Sequence, residues 1–277
     1  MNFTLKNPDG TPYQAYAYTG GKPFDSAQPT VVMIHGVLCD HSVWILQSRY
    51  LAHHGFNVLA VDLPGHCKSG GTAPQSVEAA AQFIADLLQA AGVNQAALVG
   101  HSWGSLIALE TASQLKQRIT HLALVGTAFP MKVSPALLQA ARDEPMKALK
   151  MINVFSRATL AAPPSALGPG TWVYGASMAL GRRVLASNTE VNLFYQGFLA
   201  CDSYSHGLEA MTQVTCPVLF LLGANDQMTT PRAAQSLIDQ AQASGKKFSV
   251  VTVPMGHHQM SESPEETLSA LKNFLSP

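Results

Sequence analysis

The strongest constraint on the fold comes from a serine between two glycines, at the point where a strand pattern changes into a helix pattern. Residues 96–99 form a short apolar run typical of a buried strand, and Gly100 ends it. After Gly104, apolar residues recur at helical spacing as far as residue 115. A sharp strand-to-helix turn strains the backbone of its central residue, here Ser102, and leaves no room for side chains two positions away. The sequence therefore predicts that Ser102 projects above a strand end. The alternative is an incidental serine in a glycine-rich turn, but such a serine needs neither a strand before it nor a helix after it.

Short apolar runs alternate with helical patterns along most of the chain. The runs predicted to be buried strands are residues 30–34, 58–61, 96–99, 122–125, 217–222 and 248–253. The alternating residues 13–18 predict a strand at an edge of the sheet. Helices are predicted over residues 42–54, 77–91, 106–115, 231–244 and 264–275. Such alternation predicts an α/β fold, with a mostly parallel sheet and helices on both faces.

Between residues 129 and 206 the alternation breaks. Helical patterns rich in Leu, Ala and Met cover residues 136–141, 146–155, 178–185 and 191–199, and prolines and glycines interrupt them at 163–164 and 168–170. We predict a helical insertion that covers the carboxyl edge of the sheet as a lid. The predicted division is a first core part, a lid and a second core part, over residues 1–128, 129–206 and 207–277. Ordinary crossover packing of these helices is the alternative.

Composition limits the partners that the chain can bind. With 277 residues, of which 47% are hydrophobic and 12% charged, the chain can bury a sizeable core. The formal net charge is zero, and neither a basic block nor an acidic tail is present. We therefore expect a small-molecule substrate, and neither nucleic acid nor a membrane surface as partner. The oligomeric state is left open.

The N-terminal residues and the cysteines indicate the compartment. Residues 1–6 are not a charged leader followed by an apolar run, and no segment reaches about 18 uninterrupted apolar residues. We expect a soluble, cytoplasmic protein. The cysteines show neither paired nor C-x-x-C spacing, which predicts free thiols and no metal site; they are Cys39, Cys67, Cys201 and Cys216.

Two further candidate catalytic residues follow predicted strands. A serine hydroxyl is a weak nucleophile, so it needs an imidazole to accept its proton and a carboxylate to orient that imidazole. Asp226 follows the strand at 217–222, and His257 follows the strand at 248–253. We predict that Ser102 is the nucleophile, His257 the base, and Asp226 the acid that orients the base.

These residues, with further motifs, make the sequence resemble the α/β-hydrolase family over most of the chain outside the insertion. The motifs are His35-Gly36, Asp62-Leu63-Pro64-Gly65-His66, Gly100-His101-Ser102-Trp103-Gly104, Gly223-Ala224-Asn225-Asp226 and Gly256-His257. The resemblance implies an eight-stranded, mostly parallel sheet and an enzyme that needs no cofactor. It also implies an oxyanion hole formed by the backbone N–H groups of Val37 and Trp103.

The sequence departs from relatives of this family at specific positions. Relatives usually have a glycine where Cys67 stands, so the conformation of this loop is open. His35 is not followed by the Gly-Gly-Pro-Gly of proline-releasing aminopeptidases, which argues against peptidase activity. A serine at position 102, rather than an aspartate, argues against dehalogenase and epoxide hydrolase chemistry.

His258 competes with His257 for the role of base. The predicted strand ends near Val253, and the short turn of residues 254–256 is expected to direct His257 towards Ser102. His258 would then face solvent or the lid. We therefore predict that His257 is the base.

The sequence makes less specific predictions for the other polar and sulfur-containing residues. His66 and His101 lie in turns and are expected to brace loops, and Asp202 lies in the insertion rather than after a strand. The methionines of the insertion and near the proposed triad are expected either in the core or in the wall of an apolar pocket; they are Met131, Met146, Met151, Met178, Met228 and Met260.

The function predicted from these patterns is that of a serine hydrolase which cleaves a small or medium, uncharged carboxylic ester through an acyl-enzyme on Ser102. One alternative keeps the triad but changes the reaction to that of a perhydrolase, a carbon–carbon bond hydrolase or a hydroxynitrile lyase. Another is a ligand receptor with slow turnover. Fold resemblance alone does not separate these possibilities.

Overall fold

The computed structural model describes residues 1–25, 27–158 and 173–276. The strands are β1 Asn2–Lys6, β2 Pro12–Tyr18, β3 Thr30–Ile34, β4 Asn57–Val61, β5 Ala96–His101, β6 Ile119–Val125, β7 Val218–Gly223 and β8 Phe248–Val253. They form an eight-stranded sheet in the order β1-β2-β4-β3-β5-β6-β7-β8. Strand β2 pairs antiparallel with β1 and β4, and all other neighbours in the sheet are parallel. The predicted mostly parallel, eight-stranded sheet is confirmed.

The helices within the described ranges connect these strands. They are α1 Ile45–Ala52, α2 Val77–Ala90, α3 Trp103–Leu115, α4 Pro135–Asp143, α5 Pro145–Phe155, α6 Val173–Ala186, α7 Leu193–Ser203, α8 Gly207–Gln213, α9 Gln235–Ala243, α10 Gln259–Glu262 and α11 Pro264–Leu275. Ser76 caps α2, because its hydroxyl accepts a hydrogen bond from the backbone N–H of Ala79 at 3.1 Å. None of the described helices combines the length and the hydropathy that crossing a membrane requires.

The expectation that residues 13–18 form the edge strand is wrong. Strand β2 lies between β1 and β4, and β1 is the edge. In β1 the buried residues Phe3 and Leu5 alternate with exposed ones, and β2 buries Ala15 and Ala17 in the same way. Alternation indicates that one face of a strand is covered. Both the edge strand and the strand beside it can have one covered face, so alternation does not distinguish them.

The central strands are buried on both faces, as their apolar runs predict. Every residue of β3 and β4 is buried. On one face, Val32 joins an apolar cluster with residues of α2 and α3, and on the other, Met33 joins a cluster with residues of α1 and α11. Each fully buried Val or Leu side chain contributes about 1.5–3 kcal/mol to folding. The predicted layers, with helices on both faces, are confirmed.

Helices α4 to α8 lie between β6 and β7. The first four correspond to the helices predicted within residues 129–206, and α8 was not predicted. The predicted interruptions at 163–164 and 168–170 lie outside the described residues. Leu149 of α5 and Phe194 of α7 share an apolar cluster with Leu38 and Ala73, which belong to the loops after β3 and β4. These helices therefore pack against loops at the carboxyl end of the sheet.

Candidate active site

Ser102 occupies a tight turn between a strand and a helix. β5 ends at His101 and α3 begins at Trp103, so Ser102 alone makes the turn. Its φ of 55° and ψ of −121° place a non-glycine residue in a strained region of backbone conformation. A Cβ at Gly100 would overlap the carbonyl group of Gly104. The close approach that the sequence predicts for this turn is therefore present.

Asp226 and His257 meet at the ends of the last two strands. Asp226 follows β7 and His257 follows β8, and His257 Nδ1 lies 2.8 Å from Asp226 Oδ2. Both are buried, with 2% and 6% of their surfaces exposed. Asp226 Oδ1 also accepts hydrogen bonds from the backbone N–H groups of Met228 and Thr229, at 2.8 and 2.9 Å.

The charge state of Asp226 follows from these contacts. Burial by itself would raise the pKa of this carboxyl group. The charge and the hydrogen bond of His257, together with the hydrogen bonds from Thr229, outweigh burial and hold the pKa below its usual value. Asp226 is therefore ionised near neutral pH and can hold the Nδ1–H tautomer of His257, leaving Nε2 free to accept a proton.

Thr229 is a member of this cluster that sequence reasoning missed. Its Oγ1 lies 2.7 Å from Asp226 Oδ2, 2.9 Å from the carbonyl oxygen of Gly126 and 3.0 Å from His257 Nδ1. The hydroxyl thus links the loop after β7 to the loop after β6. The available signal was a threonine three residues after an aspartate, a pattern in which side chains often bond to the local backbone.

Ser102 and His257 both lie in the walls of two cavities of the structure. Within the described part of the chain, the Ser102 hydroxyl makes no hydrogen bond to His257. Catalytic hydrogen bonds are often long before substrate binds, so this geometry is compatible with proton transfer. The structure thus brings the three predicted residues to one edge of the sheet, with the Asp226–His257 pair formed.

Val37 and Trp103 adjoin Ser102. Gly36 follows β3, and a Cβ built on it would lie 3.1 Å from Ser102 Cβ, so the loop that carries Val37 lies against the turn. Trp103 is the first residue of α3, and the first backbone N–H groups of a helix have no partner inside the helix. The Trp103 ring is buried at 1% exposure. Any contribution of Trp103 to the site is therefore made through its backbone.

Two cavities meet at Ser102. The larger, of about 480 Å³, contains Arg157 in its wall and is called the Arg157 cavity. The smaller, of about 320 Å³, contains Met151 in its wall and is called the Met151 cavity. The residues common to both walls are Val37, Ser102, Ile152, Phe198, Met228 and His257. Such volumes suit a small or medium organic ligand.

The methionines divide between the cavities and the packing of the helices. Met131, Met151 and Met228 line the Met151 cavity, and Met260 lines the Arg157 cavity. Met146 and Met178 instead pack within the apolar cluster of α4 to α7. Both alternatives left open by the sequence are therefore realised, at different positions.

His258 forms part of the wall of the Arg157 cavity. Its backbone N–H donates to Glu262 Oε1 at 3.1 Å, and its ring lies near His101 and His257. Burial, followed by the positive charge of Arg157, lowers the pKa of His258 well below its usual value. Unlike His257, it has no carboxylate on its ring among the described residues.

His66 and His101 brace loops, as expected. His101 Nε2 lies 2.8 Å from the carbonyl oxygen of His257, and His66 Nδ1 lies 3.0 Å from that of Pro64. Burial, with a smaller effect of neighbouring histidines, lowers the pKa of each ring to about 3. Both rings are therefore neutral near pH 7.

Asp202 and Cys67 lie away from the Asp226–His257 pair. Asp202 belongs to α7, where its Oδ1 accepts a hydrogen bond from the backbone N–H of Val133. Cys67 has a φ of 45°, so this loop keeps a left-handed residue although a cysteine replaces the usual glycine. Its thiol lies 3.4 Å from Asp40 Oδ2. All four cysteines of the chain are free.

Among the described residues, one group has the spacing of metal ligands: Asp40, His41 and Asp62. Their atoms already contact one another and a neighbouring arginine. His41 Nδ1 lies 2.7 Å from Asp62 Oδ1, and Asp40 Oδ2 lies 2.6 Å from Arg183 Nη2. Because these contacts satisfy the carboxylates, we assign no metal to this group.

The strand order, the serine turn after β5 and the Asp226–His257 pair after β7 and β8 define the class of α/β-hydrolases. The family model of the alpha/beta hydrolase fold matches residues 29–264. The chain belongs to this family.

Individual known proteins are similar to the chain over different lengths. A dihydrolipoyllysine-residue acetyltransferase component of the acetoin cleaving system of Cupriavidus necator is 35% identical over 112 residues, which are 40% of this chain and 28% of that protein. The putative carbamate hydrolase RutD of Klebsiella pneumoniae is 24% identical over 88% of this chain and 89% of its own length. An esterase of Exiguobacterium antarcticum superposes with a TM-score of 0.80 at 19% identity, covering 99% of both chains. This last likeness concerns the fold.

Proposed function

We propose that the protein cleaves a small or medium, uncharged carboxylic ester through an acyl-enzyme on Ser102, without a cofactor. The observation that carries this proposal is that Ser102, on its strained turn, lines the same cavities as His257, whose ring is hydrogen-bonded to Asp226. Similarity to an esterase and to a putative carbamate hydrolase agrees with attack on an acyl carbon.

The proposed reaction has two halves. In the first, His257 Nε2 accepts the Ser102 proton while the hydroxyl oxygen attacks the ester carbonyl, and Asp226 balances the charge on the ring. His257 then gives the proton to the leaving alcohol, and the acyl group remains on Ser102. In the second half, water attacks the acyl group with His257 again as base, which frees the acid and restores the serine.

The backbone N–H groups of Val37 and Trp103 are the proposed oxyanion hole. They would stabilise the negative oxygen of each tetrahedral intermediate, an effect of about 10² to 10³ in rate for one donor. The approach of the loop after β3 to the Ser102 turn supports this role.

The charges in the wall of the Arg157 cavity support an uncharged substrate. Arg183 is paired with Asp40 at 2.6 Å. Arg157 shares its cavity wall with Glu262, so each cation there has a nearby anion. Because both cations are balanced, the wall offers no net charge to attract an ionic substrate.

The helices after β6 are the proposed lid, over residues 129–206 between core parts 1–128 and 207–277. Ile152 of α5 and Phe198 of α7 line both cavities beside Ser102. Met151 and Phe155 of α5 add apolar surface to the Met151 cavity. An apolar wall of this kind would select the chain length of the ester.

A fluorophosphonate probe, which reacts with activated serines, tests the nucleophile. We expect labelling of the wild type and none of Ser102→Ala, and hydrolysis of p-nitrophenyl butanoate should fall by about 10³ or more in that variant. Ser261→Ala, which removes another hydroxyl from the cavity wall, is the matched control and should still be labelled. Labelling that survives Ser102→Ala would contradict the assignment.

The same assay separates the alternative functions. Steady multiple turnover of an ester without peroxide agrees with a hydrolase. Turnover that requires peroxide would indicate a perhydrolase. Tight binding with almost no second turnover would indicate a receptor, and activity confined to carbon–carbon bonds or cyanohydrins would indicate the remaining alternatives.

A further inference from the structure

The Arg157 cavity contains buried polar groups that have no partner in the described part of the chain. Asn153 and Ser156 line this cavity, and each is only 2% exposed. Among the described residues, neither Asn153 Nδ2 nor Ser156 Oγ has a hydrogen-bond partner. A buried donor without a partner destabilises the fold, so such groups in a cavity wall indicate a ligand that satisfies them.

Arg157 adds further donors at the same place. Its Nε and Nη2 contact Ser177 Oγ at 3.1 and 2.6 Å, and its Nη1 lies 3.5 Å from Ser261 Oγ. No carboxylate lies within 4.0 Å of this guanidinium in the described chain. A guanidinium has five N–H bonds, so these contacts leave some of them available. Asn153, Ser156 and Arg157 are called the donor cluster below.

The charge around the donor cluster is balanced. Glu262 is 2% exposed, and its two oxygens accept hydrogen bonds from the backbone N–H groups of Ala158 and His258. Its negative charge opposes that of Arg157 across the cavity wall. A carboxylate on the substrate would therefore be repelled by the negative charge of Glu262. An uncharged oxygen could instead accept hydrogen bonds from the free N–H groups without the cost of burying an ion.

The donor cluster is held in place relative to the proposed base. The carbonyl oxygen of Ser156 accepts a hydrogen bond from the backbone N–H of His257 at 2.7 Å. A Cβ at Gly256 would lie 2.6 Å from the backbone nitrogen of Ala158, so the two segments are in close contact. A ligand group bound to the donor cluster would thus have a defined position relative to Ser102.

We propose that the substrate carries, beyond its scissile ester, a second uncharged carbonyl oxygen that accepts hydrogen bonds from Asn153, Ser156 and Arg157. This inference rests on the proposed function of the same site. The substrate class is then an oxo-ester, a diester or an amido-ester, with the second carbonyl in the Arg157 cavity and the apolar part in the Met151 cavity.

Two series of esters test this proposal, one for each side of the scissile bond. The acyl series is p-nitrophenyl hexanoate, p-nitrophenyl 5-oxohexanoate and mono-p-nitrophenyl adipate. The alcohol series is phenyl butanoate, 4-acetylphenyl butanoate and 4-carboxyphenyl butanoate. In one of the series we expect kcat/KM of the oxo-ester to exceed that of the alkyl or unsubstituted ester by about tenfold or more, and the carboxylate ester not to exceed the oxo-ester.

For each protein, kcat/KM for the oxo-ester is divided by kcat/KM for the plain ester. Because the intrinsic reactivity of the two esters is the same for every variant, a change in this ratio reports recognition. Asn153→Leu replaces a side chain whose amide nitrogen has no partner among the described residues by an apolar group of similar size, so it is expected to fold. It should lower the ratio by about threefold to tenfold, and Arg157→Met by about tenfold to a hundredfold. Arg182→Gln is the matched control, because Arg182 is an exposed arginine of α6 outside the cavity wall, and it should leave the ratio unchanged.

The outcomes are distinct. Equal kcat/KM for oxo- and plain esters in both series overturns the inference, as does an unchanged ratio in Asn153→Leu. A carboxylate ester that is cleaved faster than the oxo-ester overturns the assignment of an uncharged carbonyl. If the wild type cleaves none of the esters and no probe labels Ser102, the proposed function fails, whereas cleavage of plain esters without preference contradicts only this inference.

Discussion

The carbonyl oxygen of Ser156 accepts a hydrogen bond from the backbone N–H of His257 at 2.7 Å, which joins the end of α5 to the loop after β8. A Cβ at Gly256 would lie 2.6 Å from the backbone nitrogen of Ala158 and 2.8 Å from the Ser156 carbonyl oxygen. The residue proposed as the base is therefore positioned partly by a helix that lies between β6 and β7.

Substitution of Gly256 by alanine tests this contact. The added methyl group must push the two segments apart, so we expect Gly256→Ala to lower kcat by about tenfold and the free energy of unfolding by about 1–3 kcal/mol. Gly70→Ala is the matched control, because the nearest atom to its added Cβ would be 3.7 Å away. Kinetics and urea unfolding of both variants measure the effect. Equal behaviour of the two would show that the contact does not position the loop.

The two adjacent histidines allow a direct test of the base. His257→Gln removes the proposed proton acceptor, so kcat/KM on an activated ester should fall by about 10² to 10⁴. His258→Gln removes a ring that has no carboxylate partner among the described residues, and it should change kcat/KM by less than about tenfold. The reversed order would assign the role of base to His258.

The size of the Met151 cavity should determine the chain length that the enzyme accepts. Met151→Trp adds bulk to its wall, so kcat/KM for octanoyl and longer esters should fall by about tenfold or more relative to the acetyl ester. Val154→Trp is the control on the same helix, because Val154 is 59% exposed and lines neither cavity. A panel of p-nitrophenyl esters from acetyl to dodecanoyl gives the profile. An unmoved profile in a folded Met151→Trp protein would contradict the proposed lid.

The buried neutral histidines predict loss of stability in mild acid. The pKa of His66 and that of His101 are lowered from 6.5 to about 3 by burial, so the unfolded chain binds more protons than the folded one between these values. Their contribution to stability is complete above about pH 6.5 and decreases as the pH falls towards 3. At pH 5 each ring is expected to lower the free energy of unfolding by about 2 kcal/mol relative to pH 7.

Urea unfolding at pH 7 and at pH 5 measures this effect. His66→Gln removes one of the two rings and should reduce the difference in the free energy of unfolding between the two pH values. A difference in the variant as large as in the wild type would show that His66 does not remain neutral in the folded state.

Much of the architecture is encoded locally, which is why the sequence predicts it. The helix expected over residues 264–275 is α11 at those bounds, and the serine turn follows from glycines two positions from Ser102. Periodicity and turn residues depend on neighbours in the chain, so they can be read without the fold. The edge strand β1 was missed because β2 has the same alternation.

The α/β class, the mostly parallel sheet and the positions of Ser102, Asp226 and His257 after its strands follow from the sequence alone. It could not determine that Thr229 bonds to Asp226, or that Asn153 and Arg157 of the α5 region reach the cavity beside Ser102. Nor could it determine that His257 and Asp226, 31 residues apart, come within 2.8 Å. These contacts depend on tertiary packing, because a helical pattern specifies which face is buried, while packing decides which distant residues that face meets.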